Sequence, residues 1–200
     1  MTPAGEGMAR ARPWGSAGAL PATRSLHAHL RGGGLIAYAT ESCFGLGCDP
    51  RNARAVRRLL RLKHRPQTKG LILIGGAVGQ FRHFLAPLPA ELSSRLAQWW
   101  PGPHTLLLPA ARRCPPWLRG HHTKLAVRVT AHPQAARLCH ALGMALVSTS
   151  ANRSGQQPLK TWRACQRAFG AQVWVLHGRI GRRKRPSTIL DPLTGGVIRA

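Results

Sequence analysis

The sequence predicts an α/β fold, and three observations predict it. From residue 24 onward, short apolar runs alternate with longer stretches that keep helical spacing. Glycine and proline punctuate the joins, as at Gly32-Gly33-Gly34, Pro66 and Gly143. Hydroxyl-rich segments follow several of the apolar runs, at the strand ends where ligands of open α/β sheets lie.

Taken in order, a short helix near Ser25 to Arg31 stops at the glycine triplet, and Leu35 to Tyr38 reads as the first strand. Thr40 to Asp49 is expected to be a tight, exposed segment. Asn52 has the side chain to cap a helix whose Val56, Leu59, Leu60 and Leu62 keep helical spacing, and Pro66 limits it. Leu71 to Ile74 is a buried strand. Helices are expected over Val78 to Leu85 and Glu91 to Trp100, then strands at Thr105 to Leu108 and Leu125 to Val129. His132 to Leu142 is a helix stopped by Gly143, and Met144 to Val147 a strand leading into a turn from Ser148 to Asn152. A helix over Thr161 to Phe169 and strands at Val173 to Leu176, Thr188 to Leu190 and Val197 to Arg199 complete a domain spanning 24–200. Residues 1–23 are rich in Gly, Ala, Pro and Arg without either periodicity, and are read as a disordered basic tail. A transit peptide is the alternative, with Met8 as a second candidate start.

Charge narrows the function classes. The chain has 200 residues with 30 Lys and Arg against 5 Asp and Glu, a net charge of +25. Such a surface attracts polyanions, so nucleotides, RNA and acidic lipid all suit it, although an arginine-rich coding bias produces the same excess. The carboxylates Glu6, Glu41, Asp49, Glu91 and Asp191 are too few for an all-protein calcium cage or a glycosidase pair. The cysteines Cys43, Cys48, Cys114, Cys139 and Cys165 are odd in number and lack a C-x-x-C pair, which argues against a disulfide framework and a zinc ribbon. Reduced thiols point to the cytoplasm, and no apolar run is long enough to span a bilayer.

Several motifs fail mechanically. Gly32-x-Gly34-x-x-Ala37 precedes a strand, whereas a dinucleotide loop must follow one. No P-loop or G-x-S-x-G elbow is present, and His121-His122 lacks companion ligands, so no protein-held metal is expected. What remains are polar clusters at element ends. Lys63-His64-Arg65, with Lys69, suits either a helix C-terminus or a polyphosphate. Ser148 to Asn152 and Pro186 to Asp191 offer hydroxyls at strand ends, the second behind the cation run Arg182 to Arg185, which reads first as a solvated loop.

Together these segments resemble the YrdC/TsaC family, the L-threonylcarbamoyladenylate synthases. The family's P-T-E-x-x-[YF]-G-L-G signature is matched by Ala39-Thr40-Glu41-Ser42-Cys43-Phe44-Gly45-Leu46-Gly47. Its K-x-R motif is matched by Lys63-His64-Arg65, and its S-x-N motif by Ser150-Ala151-Asn152. Trp100-Pro101-Gly102-Pro103, Leu125 to Val129 with His132-Pro133, and Pro186-Ser187-Thr188 with Asp191 follow in the family's order. Ala39 stands where the family usually has Pro, and with the sequence running only to Ala200 the second domain of the longer members is expected to be missing.

The resemblance implies a twisted mixed sheet with flanking helices around a basic concave cavity, with residues 24–200 as the catalytic domain. It implies synthesis of threonylcarbamoyl-AMP and pyrophosphate from L-threonine, bicarbonate and ATP, with Mg2+ carried by the ATP. A downstream transferase complex would then modify tRNA beside the anticodon. By matched position, Lys63 and Arg65 would be catalytic and would grip the ATP phosphates, joined by Lys69, Lys124, Ser150, Asn152 and Arg199. Thr40, Arg128, Ser148 and Ser187 would line the threonine side. The competing readings are a silent RNA-binding member of the fold and a ribosome-associated factor, with tRNA or RNA held by the basic surface. A pure RNA binder has no reason to keep Thr40, Lys63, Arg65, Ser150, Asn152 and Ser187 together, and the aromatic residues are scattered rather than set out as stacking platforms.

Overall fold

In a computed structural model, which describes residues 23–199, the alternation in the sequence resolves into a mixed nine-stranded sheet with helices on both faces. The strands are β1 (Ile36–Ala39), β2 (Phe44–Gly47), β3 (Ile72–Gly75), β4 (His104–Pro109), β5 (Lys124–Val129), β6 (Leu146–Ser150), β7 (Trp174–Val175), β8 (Thr188–Leu190) and β9 (Val197–Arg199). The helices are α1 (Thr23–Arg31), α2 (Ala53–Lys63), α3 (Ala90–Arg95), α4 (Pro116–Arg119), α5 (Pro133–Leu142) and α6 (Trp162–Phe169). The sheet runs β7-β1-β2-β6-β3-β5-β4-β8-β9. β1/β7, β3/β5 and β4/β8 are parallel and the remaining pairs antiparallel.

Strand alternation sends side chains to two cores. From β1, Ala37 and Ala39 join Val56, Leu59 and Leu60 of α2, Leu118 of α4, and Cys165 and Phe169 of α6. Ile36 and Tyr38 point the other way, to Leu26 and Leu30 of α1 and Leu138 and Leu142 of α5.

The caps are those the residue types predict. The Asn52 side chain accepts the Ala55 N–H at the start of α2, and Thr161 accepts the Ala164 N–H at the start of α6. Gly143 closes α5 at φ 60, a left-handed conformation that a glycine adopts without strain.

Four expectations are corrected. Thr40 to Asp49 is not an exposed segment: it contains β2, with Phe44 to Pro50 all buried. The string Phe-Gly-Leu-Gly has low strand propensity, and its glycines are there for proximity, since a Cβ at Gly47 would lie 2.5 Å from the Val147 carbonyl oxygen. Ser148 to Ser150 is not a turn but the end of β6, held by β3 through Ser148 and by β2 through Thr149 and Ser150. The helix expected over Val78 to Leu85 is one 3-10 turn, Val78–Phe81, followed by turns. The helix expected over Glu91 to Trp100 is α3 followed by a 3-10 turn at Leu96–Gln98. The short helix α4, opened by Pro116, was not anticipated.

The tail expected over 1–23 lies outside the described residues except for Thr23, which begins α1. Among the described residues no helix is long and apolar enough to cross a membrane, and no group of three or more His, Cys, Asp or Glu could hold a metal ion. All five cysteines are free thiols, and burial pushes Cys139 and Cys165 up to about 12.

Candidate functional site

The C-terminus of α2 is where the site begins. His64 adopts a left-handed conformation at φ 51, and the His64 and Arg65 N–H groups return to the Arg61 and Leu60 carbonyls. That reversal separates two neighbouring cations. Lys63, still on the last helical turn, faces inward and is 4% exposed, whereas Arg65 swings out to the wall of a hollow.

The Lys63 ammonium donates to the Ser150 carbonyl at 2.5 Å, the Asn152 carbonyl at 2.7 Å and Asn152 Oδ1 at 3.1 Å. Ser150 Oγ donates to the same Oδ1 at 2.6 Å, and Asn152 Nδ2 donates to the Gln156 carbonyl at 2.6 Å. Lys63 therefore braces the turn after β6 from behind. Burial, with Arg65 nearby, pulls its pKa down to about 8, while the three oxygens around it need its protons.

Two adjoining hollows open on this face. The smaller, about 320 Å³, is walled by Thr40 and Cys43, by Arg65, by Arg128 from β5, by Ser148 and Ser150 from β6, and by Ser187 and Arg199. The larger, about 520 Å³, has an apolar floor of Leu71, Leu107, Leu118, Ile189 and Ile198 beside Lys69, Arg119 and Lys124. Arg65 and Arg199 border both. A third cleft, about 710 Å³, lies among Val78, Leu85, Leu88 and Arg112 and contains none of the sequence-predicted site residues, so size does not mark the site.

The expected residues thus separate into groups. Thr40, Arg65, Arg128, Ser148, Ser150, Ser187 and Arg199 meet in the smaller hollow; Lys69 and Lys124 sit with Arg65 and Arg199 around the larger. Lys63 and Asn152 line neither hollow and stand behind Ser150.

Their present partners are largely internal. Thr40 Oγ1 donates to the Cys43 carbonyl at 2.7 Å, and Ser187 Oγ shares a hydrogen bond with Thr105 Oγ1 at 2.9 Å. Arg199 donates through Nη2 to the Ser187 carbonyl at 2.8 Å, Arg65 donates to the Gly70 carbonyl at 3.0 Å, and Lys124 is ion-paired with Asp191.

Electrostatically the smaller hollow is built for anions. Burial, then the charges of Arg128 and Arg65, lower the Arg199 pKa, so these three guanidinium groups repel one another across the space. The Nε atoms of Arg65 and Arg128 are buried without a hydrogen-bond partner. An anionic ligand in the hollow would offset that repulsion.

Sequence reasoning assigned no role to Ser42, Cys43, Gly45, Lys160 or Lys184, which also line this hollow. Ser42, Cys43 and Gly45 lie inside the Thr40-to-Gly47 motif and could have been found there. Lys184 belongs to the cation run read as a solvated loop, and Lys160 carried no signal.

A sequence profile for the Sua5/YciO/YrdC family, described as "Telomere recombination", matches residues 28–200. The chain is 59% identical over 176 residues to a protein of Methylobacillus flagellatus called threonylcarbamoyl-AMP synthase, covering 88% of this chain and 98% of that one. It is 61% identical over 170 residues to one of the same name from Chromobacterium violaceum, covering 85% and 88%. Among solved structures, P. abyssi Sua5 complexed with L-threonine superposes with a TM-score of 0.78 at 29% identity, over 86% of this chain and 51% of that one. E. coli YciO superposes with a TM-score of 0.76 at 24% identity, over 90% of each chain, and is alike in fold.

Proposed function

The chain belongs to the Sua5/YciO/YrdC family, and from that membership we propose that it is a threonylcarbamoyl-AMP synthase. It makes L-threonylcarbamoyladenylate and pyrophosphate from L-threonine, bicarbonate and ATP, for threonylcarbamoyladenosine modification of tRNA next to the anticodon. We assign the catalysis to residues 24–200.

The observation that carries this reading is the convergence of Thr40, Arg65, Arg128, Ser148, Ser150, Ser187 and Arg199 from distant segments upon one hollow. The threonine amine and bicarbonate condense to a carbamate with loss of water. A carbamate oxygen then attacks the α-phosphorus of ATP, the bond to the bridging oxygen breaks, and pyrophosphate leaves. Such a transfer asks a protein for alignment and for positive charge along the phosphates rather than for a covalent nucleophile.

In this assignment threonine occupies the smaller hollow. Arg128 faces its carboxylate, with Thr40, Ser148 and Ser187 around it. The nucleotide occupies the larger hollow, its base on the apolar floor and its phosphates near Lys69, Lys124, Arg65 and Arg199. The reacting atoms then meet at Arg65 and Arg199, which border both spaces. Lys63 acts by holding Ser150 and Asn152 in place. Mg2+ enters on the ATP, which suits walls of cations rather than carboxylates. The product passes to a tRNA threonylcarbamoyltransferase complex, and the basic surface is available to tRNA. Five free thiols suit the reducing cytoplasm.

Purified protein supplied with ATP, bicarbonate and L-threonine is expected to release pyrophosphate in a threonine-dependent manner. Pyrophosphate release that ignores threonine, or no release beside intact RNA binding, would replace this reading with that of a silent RNA-binding member of the fold.

A further inference from the structure

Arg128, next to last in β5, lies against Glu41. Both side chains are nearly buried, at 10% and 12% exposed, and Glu41 Oε2 stands 3.4 Å from Arg128 Nη2, off the line of a hydrogen bond. The other carboxylate oxygen accepts the Thr130 hydroxyl at 2.7 Å and the Ala131 N–H at 3.2 Å. Glu41 is thereby fixed to the end of β5 from the loop that follows β1.

The backbone of the same loop fastens the segment that carries Ser187. The Gly181 N–H donates to the Thr40 carbonyl at 2.9 Å, and the Arg183 N–H to the Glu41 carbonyl at 3.1 Å. A Cβ at Gly181 would lie 2.7 Å from the Glu41 carbonyl oxygen, so the contact is close. His132 also faces this joint, with its Nε2 at 3.0 Å from the Arg179 carbonyl.

Of the three ion pairs among the described residues, this is the one made by a side chain lining the smaller hollow. Burial pushes the Glu41 carboxyl up, but Arg128 and the Thr130 hydroxyl outweigh it and hold the group below its ordinary range, so it is ionised at neutral pH. In a protein with 5 acidic residues against 30 basic ones, a carboxylate here is a specific feature.

We infer that Glu41 is a positioning residue for the amino-acid substrate: its carboxylate, anchored on Thr130 and Ala131, holds the Arg128 guanidinium in the wall of the smaller hollow, where it meets the substrate carboxylate. The inference rests on the assignment of threonine to Arg128 made above. Glu41 also offsets the mutual repulsion of Arg128, Arg65 and Arg199, which would otherwise drive Arg128 out of position before the anion arrives.

Steady-state pyrophosphate release by Glu41→Gln, with threonine and ATP varied separately, tests it. The expected result is a threonine KM raised at least about tenfold with an ATP KM within about twofold of the parent. Loss of bulk negative charge alone would instead tighten ATP. Thr130→Val, which loosens the anchor and keeps the charge, should shift the threonine KM in the same direction by a smaller factor, and it decides the matter if Glu41→Gln does not fold. A threonine KM unchanged in the folded variant overturns the inference, as do threonine and ATP KM values that rise together, the mark of a merely structural role. Failure of the parent protein to release pyrophosphate in response to threonine would instead sink the functional reading on which this rests.

Discussion

Adjacent cations at the end of α2 have different work because one residue between them is left-handed. Lys63 completes its helical turn and spends its three protons on Ser150 and Asn152, while Arg65 lies beyond the reversal at His64 and borders the hollows. Two outcomes follow at this scale. Lys63→Ala should remove the charged donor that ties the Ser150 and Asn152 carbonyls and Asn152 Oδ1 together, loosening the turn that presents Ser150, and pyrophosphate release should fall by about tenfold or more. The parent enzyme should also show an alkaline limb. With the folded-state pKa of Lys63 lowered to about 8, the ammonium is present below that pH and lost above it, so activity should decline as pH rises through about 8. A rate that stays level to about pH 10, near the ordinary lysine value, would overturn this account of Lys63.

Among the elements, β2 is the one on which the site most depends and the one least visible as a strand. It lies between β1 and β6, and its Gly45 and Gly47 let β6 approach closely enough for Ser148 and Ser150 to reach the hollow. A Cβ at Gly47 would also meet Tyr38 Cε1 at 2.9 Å, so neither neighbour can give way cheaply. Gly47→Ala should therefore cost about 1–3 kcal/mol in chemical denaturation, from overpacking against backbone. Asn52→Ala, which removes the N-cap of α2 and the Asn52 Nδ2 bond to the Arg31 carbonyl at 3.1 Å, should cost about 1 kcal/mol. If denaturation midpoints do not move for either variant, the packing account of β2 or the capping account of α2 is wrong.

For the molecule as a whole, charge is the dominant abnormality. A net charge of +25 makes the folded chain repel itself, and only Asp49, Asp191 and Glu41 are ion-paired among the described carboxylates. Added salt screens that repulsion over a Debye length of about 10 Å at 0.1 M. The melting temperature should accordingly rise with sodium chloride up to about 0.3 M, and rise further with a polyanion that prefers the folded state. A melting temperature that falls with salt would mean that the three ion pairs, rather than the unpaired cations, control stability.

The sequence by itself determined the α/β class, most helices through their caps and spacing, and, through its motifs, part of the polar lining of the smaller hollow: Thr40, Arg65, Arg128, Ser148, Ser150, Ser187 and Arg199, but not Ser42, Cys43, Lys160 or Lys184. It could do so because caps, periodicity and glycine punctuation are local: Asn52, Thr161 and Gly143 act within one helical turn of themselves. It misjudged Thr40 to Asp49 and Ser148 to Ser150, since glycine-rich and serine-rich strings read as turns until partner strands supply their hydrogen bonds. Only the tertiary structure decided which cations face the hollows and which stand behind them, because that depends on one left-handed residue and on carbonyls 87 to 89 positions away. It alone brought Glu41 against Arg128 and Thr130, an arrangement fixed by the packing of the loop after β1 onto the end of β5.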